Sequence, residues 1–295
     1  MSRKLKEIII KNIFFLTALV SVAVLGLIMV FIFREAVPIF RVVSVFDFLF
    51  GTQWYPTYKP PEFGILPLIF GSLIVTFFST LIAVPIGVLS AIYISELARP
   101  WIKEIFKPVI ELLAGIPSVV LGFFGLVIIA PWLQDTFDMP TGLNIINCSM
   151  MLALMAVPTI ASISEDALYA VPREFKEASY ALGATKAETI IRVVVPAAVS
   201  GISTAVILGM ARAIGETMVV LMIGGGATAI PEGIFDSVRP MPASIAAEMG
   251  EAPFRGLHYH ALFATGAVLF MLTLAFNLVA DYISHRFRQV GSGTL

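Results

Sequence analysis

The chain has 295 residues, 58% hydrophobic and only 13% charged, with a net charge of −1 and a mean hydropathy of +0.94. A soluble domain of this size is about 25% charged and roughly 45–50% apolar, so water is excluded as the solvent for most of this surface. The near-zero charge gives no bulk attraction to nucleic acid, and the single cysteine, Cys148, excludes an internal disulfide or a thiolate cluster.

Spanning a bilayer takes about 20 mostly apolar residues in a helix. The first such run covers residues 13–33, after a basic start of Arg3, Lys4, Lys6 and Lys11. It is longer than the ~7–15-residue core of a cleaved signal and ends at Arg34-Glu35, so it reads as an uncleaved helix. Further runs follow at about 66–95 (with Pro85 inside), 108–133 (with Pro117), 145–164, 196–223 and 261–283. The chain therefore reads as an all-α polytopic membrane protein of six transmembrane helices. It divides into residues 1–60, the first helix and the start of a loop, and residues 61–295, a five-helix core. Two connecting stretches, 46–50 and 245–249, are apolar enough to lie at the interface or pack on the bundle. Thirteen Lys and Arg fall on the side that holds the N-terminus, residues 99–107, residues 173–192, Arg286 and Arg288. Five fall on the other side, and Arg212 lies inside a span. That asymmetry predicts both termini in the cytoplasm.

The cytoplasmic loop 165–195 is long yet not disordered in composition. Pro172-Arg-Glu-Phe-Lys-Glu-Ala-Ser-Tyr180 suits a short amphipathic helix opened by proline, Gly183 suits its stop, and residues 185–195 suit a second helix, with Pro196 opening the next span. From periodicity alone it is either an ordinary re-entry loop or a rigid lever. No Gly-x-x-x-x-Gly-Lys-Ser/Thr phosphate loop occurs, so this chain has no nucleotide-cradling motif of its own.

Arg212 and Glu216 fall in the fifth run. An arginine at a bilayer centre costs ~2.5–3.5 kcal/mol and usually faces a bundle interior or a substrate path. Four residues apart on a helix, the two would share a face and can pair. One reading is a buried pair that fixes packing. The other is that Arg212 meets an anion, since its planar fork donates two parallel hydrogen bonds, while Glu216 holds Arg212 when no anion is present. Gly201, Ala205, Gly209 and Ala213 form a small-residue ridge on the same run, suited to close helix packing. Gly115-Ile-Pro-Ser-Val-Val-Leu-Gly122 should interrupt the third helix. The result is either a simple kink or a polar path lined by freed amides and the Ser118 hydroxyl. His258 and His260 lack an evident third ligand for a metal.

Glu177-Ala178-Ser179, Gly183 and Val193-Val-Val195-Pro196 together resemble the coupling loop of ABC importer permeases, Glu-Ala-Ala, three residues, Gly, nine residues, Ile-x-Leu-Pro. The resemblance implies a type I ABC importer permease fold in which Glu174, Phe175, Glu177, Ala178, Gly183 and Pro196 couple to a separate ATPase. Phe63-Gly-Ile-Leu-Pro-Leu-Ile-Phe-Gly71, Leu81-Ile-Ala-Val-Pro-Ile-Gly87, Ala91-Ile-Tyr-Ile-Ser-Glu96, Gly115-Ile-Pro-Ser-Val-Val120, Ala211-Arg-Ala-Ile-Gly-Glu-Thr-Met218 and Ser244-Ile-Ala-Ala-Glu-Met-Gly-Glu-Ala252 resemble phosphate-specific ABC transporter permeases of the PstC type. That resemblance implies a pathway including Arg212, Glu216, Thr217, Ser118 and Pro117. It also implies a sister permease of PstA type, an ATPase homodimer of PstB type that holds ATP and Mg2+, a periplasmic binding protein of PstS type, and inorganic phosphate as cargo. No cofactor is expected on this chain, and its expected location is the inner membrane. The rival expectations are a permease for another oxyanion (sulfate or molybdate), an ATP-independent anion transporter or channel, and a membrane-embedded enzyme, for which no suitable constellation is present.

Overall fold

The computed structural model describes residues 3–288, with side chains described for 7–279, 281 and 282. The basic residues Arg3, Lys4, Lys6, Arg286 and Arg288, together with His285, therefore lie outside the described side chains. The helices are α1 (Arg3–Ala36), α2 (Val45–Phe50), α3 (Leu66–Ile92), α4 (Pro100–Ala114), α5 (Ser118–Phe124), α6 (Ala130–Phe137), α7 (Ile145–Tyr169), α8 (Arg173–Ala181), α9 (Lys186–Thr189), α10 (Val195–Ile214), α11 (Met218–Ile223), α12 (Met241–Glu248) and α13 (Leu257–Arg288). A short antiparallel hairpin, β1 (Trp54–Tyr55) and β2 (Glu62–Phe63), pairs Trp54 with Phe63 and Tyr55 with Glu62.

Among the described residues, six stretches are long and apolar enough to cross a membrane: Glu7–Arg41, Leu66–Leu97, Ser118–Phe137, Ile145–Tyr169, Lys186–Ile214 and Leu257–Val279. Two differ from the sequence-based runs in an informative way. The third run, 108–133, is not one helix. Pro117 adopts φ −60°, ψ 137°, has no N–H to give, and pushes the residue before it out of the helical region. The amphipathic helix α4 therefore ends at Ala114, and the membrane-crossing helix starts at Ser118. The fifth run starts ten residues early, at Lys186, and breaks after Ile214. Pro196 does not open it. The helix widens into a π turn at Ile190–Val194, which holds Arg192, the residue whose carbonyl the Pro196 ring would strike in a regular helix. Pro131 is accommodated the same way by the π turn Gly125–Ile129. There the Gly125 carbonyl also accepts from Asn147 Nδ2 at 3.0 Å, a bond between α7 and the π turn.

At the centre lies α7, flanked by α3 and α10. Glycines make this approach possible. A Cβ on Gly87 would stand 2.8 Å from Ile160 Cγ2, one on Gly209 2.7 Å from Ile160 Cγ1, and one on Gly201 2.4 Å from Ala167 Cβ. The small-residue ridge of α10 is thus the surface that meets α7, as the sequence suggested. Without lipid–water contrast to drive helices together, such close van der Waals contact is what holds them. Around this layer the buried core runs from Val75, Leu152 and Met155 to Leu121, Val219 and Val220.

At the hairpin end a second cluster joins the end of α1 to the start of α13 through Ile39, Phe48, Trp54, Phe63, Leu68 and Met241. The apolar connecting segments noted in the sequence supply part of it, as α2 and α12. Trp54 is 1% exposed. Its Nε1 donates to both Glu248 carboxylate oxygens at 3.1 Å, so it is interior structure, whereas Tyr55 is exposed and stacks on Tyr58 at 5.0 Å. By contrast residues 7–31 of α1 are exposed on every side, an apolar surface with lipid as its solvent.

Replacing Gly209 by Leu forces side-chain volume into Ile160. Overpacking of this kind costs about 1–3 kcal/mol, so the purified variant should melt several degrees lower than the wild type in detergent. Leu208→Ala, on the exposed face of the same helix, should leave the midpoint unchanged.

Candidate functional site

Two helix breaks define the site, one after Ala114 and one after Ile214. In the first, Gly115 and Ile116 donate to Leu112 and Leu113 carbonyls at 3.1 and 3.3 Å, tightening the last turn of α4. In the second, Gly215 donates to Ala213 O and Glu216 N–H to the same carbonyl at 3.3 Å. The two helices that resume, α5 and α11, lie against each other: a Cβ on Gly122 would meet Met222 Sδ at 2.8 Å and Val219 Cα at 3.4 Å. The packing thereby brings together two breaks about a hundred residues apart. The first-turn amides of both helices have no preceding turn to accept them.

Arg212 sits in the last turn of α10 rather than at the middle of a span. Its Nη2 reaches across to the carbonyl of Ala114, the last residue of α4, at 3.4 Å. Glu216 lies in the break itself, and its Oε1 accepts from the amides of Met218 and Val219 at 3.1 and 3.4 Å. The pairing of Arg212 with Glu216 expected from i, i+4 spacing is therefore not formed. Gly215 ends the helix between them, so the shared face that spacing assumed does not exist. The acid caps α11, where a negative charge is favoured, and the guanidinium is left with one long backbone contact and no carboxylate partner among the described residues. Thr217 and Ser118 are half-buried at the starts of α11 and α5, with Thr217 Oγ1 3.4 Å from Gly215 O, and Pro117 is exposed.

The second set of expected residues lies at the opposite end from the hairpin. Pro172 precedes α8 with φ −57°, ψ 140°. Gly183 closes it with φ +82°, a left-handed conformation natural only to glycine. Thr185 and Glu188 then form a capping box that starts α9. The helix–glycine–helix reading holds, except that the second helix runs on without interruption into α10. Glu174, Phe175, Glu177, Ala178, Gly183 and Pro196 are all exposed. Leu182 is 90% exposed, and Tyr169 and Tyr180 are exposed with it, an apolar group on a face rimmed with charge.

Three contacts at this end were not singled out from the sequence, and two of them join elements far apart in the chain. Lys176 of α8 pairs with Glu96 at 2.7 Å, tying α8 to the π turn that ends the second span. Lys107 of α4 bridges Glu165 at 2.8 Å and Asp166 at 3.1 Å on α7. Those two hydrogen bonds, Glu165's first, hold its ammonium above the ordinary lysine range. Lys103 Nζ donates to Ser95 O at 2.5 Å. Nothing local in the sequence signals these partners.

No group of three or more His, Cys, Asp or Glu is placed to hold a metal among the described residues.

Residues 83–289 match the family model described as binding-protein-dependent transport system inner membrane component. The chain is 40% identical over 287 residues to the probable ABC transporter permease protein YqgH of Bacillus subtilis, covering 97% of this chain and 93% of that one. It is 33% identical to the phosphate transport system permease protein PstC of Haemophilus influenzae, covering 88% and 90%. Among solved structures, a chain of a bacterial alginate ABC transporter superposes with a TM-score of 0.63 at 14% identity, covering 94% and 96%. A chain of the inward-facing MetNI methionine ABC transporter superposes with a TM-score of 0.56 at 21% identity, covering 76% and 94%.

Glu216→Ala removes the cap of α11 and should lower stability by about 1 kcal/mol, the usual cost of losing a helix cap. Glu216→Gln keeps an acceptor oxygen and should stay near wild type. Thermal midpoints of the two detergent-purified variants compare the outcomes.

Proposed function

Because the chain belongs to the family of binding-protein-dependent transport system inner membrane components, ABC importer permeases of the inner membrane, we propose that it carries inorganic phosphate into the cytoplasm. The observation that carries this reading is Arg212: an unpaired guanidinium at the junction of two helix breaks within the bundle. A half-buried arginine without a carboxylate partner is costly, and a tetrahedral anion with two oxygens for its fork supplies the missing charge. Glu216, engaged with the α11 amides, does not compete for it. Ser118, Thr217 and the bend at Pro117 are the further residues assigned to this path. The likeness to PstC proteins supports phosphate as the oxyanion.

The hairpin end faces the periplasm and α8 faces the cytoplasm, as the Lys and Arg asymmetry requires. An ATPase homodimer binding ATP and Mg2+ docks on the exposed face of α8 through Phe175, Leu182 and the acids Glu174 and Glu177. A sister permease completes the pathway, and a phosphate-binding protein delivers at the hairpin end. When the ATPases close, α8 moves as a rigid body. Lys176–Glu96 passes that motion to α3, and the unbroken run from α9 into α10 passes it to Arg212 at the far end of the same helix. One helix thus links the ATPase surface to the anion contact.

Vesicles holding the complete transporter and binding protein test this by uptake of labelled phosphate. Uptake should require ATP, resist excess sulfate and molybdate, and fall at least 100-fold with Arg212→Gln, as expected when a charged, bidentate contact is lost. ATP-independent uptake, or preference for another anion, overturns the phosphate-importer reading. In the same vesicles Phe175→Ala should lower substrate-stimulated ATP hydrolysis several-fold, as truncating an apolar anchor at an interface does.

A further inference from the structure

A cavity lies at the other end of α11. Its volume is about 260 Å3, and its lining includes Leu143, Met222, Gly225, Gly226, Arg239 and Ala247. Gly225 and Gly226 have φ of +82° and +75°, so bare backbone forms part of the wall where any other residue would be strained. Gly225 is further confined, since a Cβ there would meet Ser237 Oγ at 2.3 Å and Leu143 O at 2.6 Å. Arg239 is the charged residue of this lining.

The two edges of the Arg239 guanidinium have different surroundings. Nη1 donates to Glu248. Glu248 is itself fixed by Trp54 Nε1 at 3.1 Å and by His258 Nε2 at 2.7 Å, so β1, α12 and α13 together hold the acid that orients the arginine. The other edge, Nε and Nη2, has no acceptor among the described residues. It lies 3.9 and 3.8 Å from the position a Cβ would take on Gly226. That edge carries the two parallel donors that match two oxygens of a tetrahedral oxyanion. An arginine anchored by an acid on one side and open on the other is preorganised, and its fork loses little freedom on binding.

We propose that Arg239, with the bare backbone at Gly225 and Gly226, is a second, outer subsite for the transported oxyanion. It rests on the reading above for its cargo and its direction. α11 separates it from Arg212: six residues at a rise of 1.5 Å give roughly 9 Å. An anion entering from the hairpin end meets Arg239 first and Arg212 next. The neighbouring Glu248 carboxylate weakens the site, which suits a station that must release what it receives.

The test measures labelled phosphate moved per ATP hydrolysed in vesicles with the complete transporter and phosphate-loaded binding protein. Arg239→Gln should lower that ratio about fivefold or more, the order expected for loss of a charge-assisted contact, with ATP hydrolysis and co-purification of the subunits retained. Glu248→Gln keeps an amide oxygen to hold Arg239 Nη1 but removes the competing charge, and should leave the ratio at or above wild type. Opposite responses support the subsite. A parallel fall in both variants assigns the pair to structure alone and overturns it, as does a wild-type ratio in Arg239→Gln. Should Arg239→Gln not assemble, Arg239→Lys decides: it keeps the charge but not the fork, so an intermediate ratio supports the subsite and a wild-type ratio refutes it. A wild-type transporter that imports a different oxyanion refutes the phosphate reading by itself, and the same variants are then scored with that anion. Transport of none overturns both.

Discussion

Everything else in this bundle depends on the contact between α7 and the two helices beside it. Gly87, Gly201 and Gly209 leave no room for a side chain where they meet Ile160 and Ala167. In lipid, apolar side chains gain nothing by leaving the solvent, so helices associate through backbone proximity and interdigitation. This close layer fixes the heights of α3 and α10 relative to α7. It thereby places the last turn of α10, which carries Arg212. The functional geometry is thus set by residues that touch no substrate.

The breaks take their meaning from that frame. A helix can be interrupted inside a membrane only where the freed backbone groups find partners or line a cavity. Here Glu216 accepts two freed amides of α11, and Arg212 donates to the last carbonyl of α4. Each charged side chain satisfies backbone belonging to a break. The arginine's contact is long and uses one nitrogen, leaving most of its donors for a ligand. The same economy recurs at the other end of α11, where Glu248 takes one edge of Arg239 and leaves the second open.

The prolines show how a long helix survives residues that should end it. Pro196 and Pro131 each follow a π turn that contains the carbonyl their rings would strike. The wider turn lets α9 and α10 form one continuous rod from the exposed α8 end to Arg212. Pro117, with no such turn before it, does break its helix, and that break forms part of the site.

Hydropathy by itself determined that the chain spans a membrane six times, because a run of about 20 apolar residues has no other stable setting. Local chemistry was equally legible at Pro172, Gly183 and the α10 ridge, where proline, a positive φ and small residues each act within one turn of chain. The rare charges Arg212 and Glu216 stood out for their cost. Their relation to each other did not: spacing on an ideal helix makes them a pair, and only the packing of α11 against α5 reveals that Gly215 separates them and that each serves a different break. The partners of Lys176, Lys107 and Glu248 were beyond the sequence for the same reason. Ion pairs between residues 58 and 80 positions apart, and a Trp54–Glu248 hydrogen bond across 194, follow from how helices are placed against one another, and that placement is a property of the whole bundle.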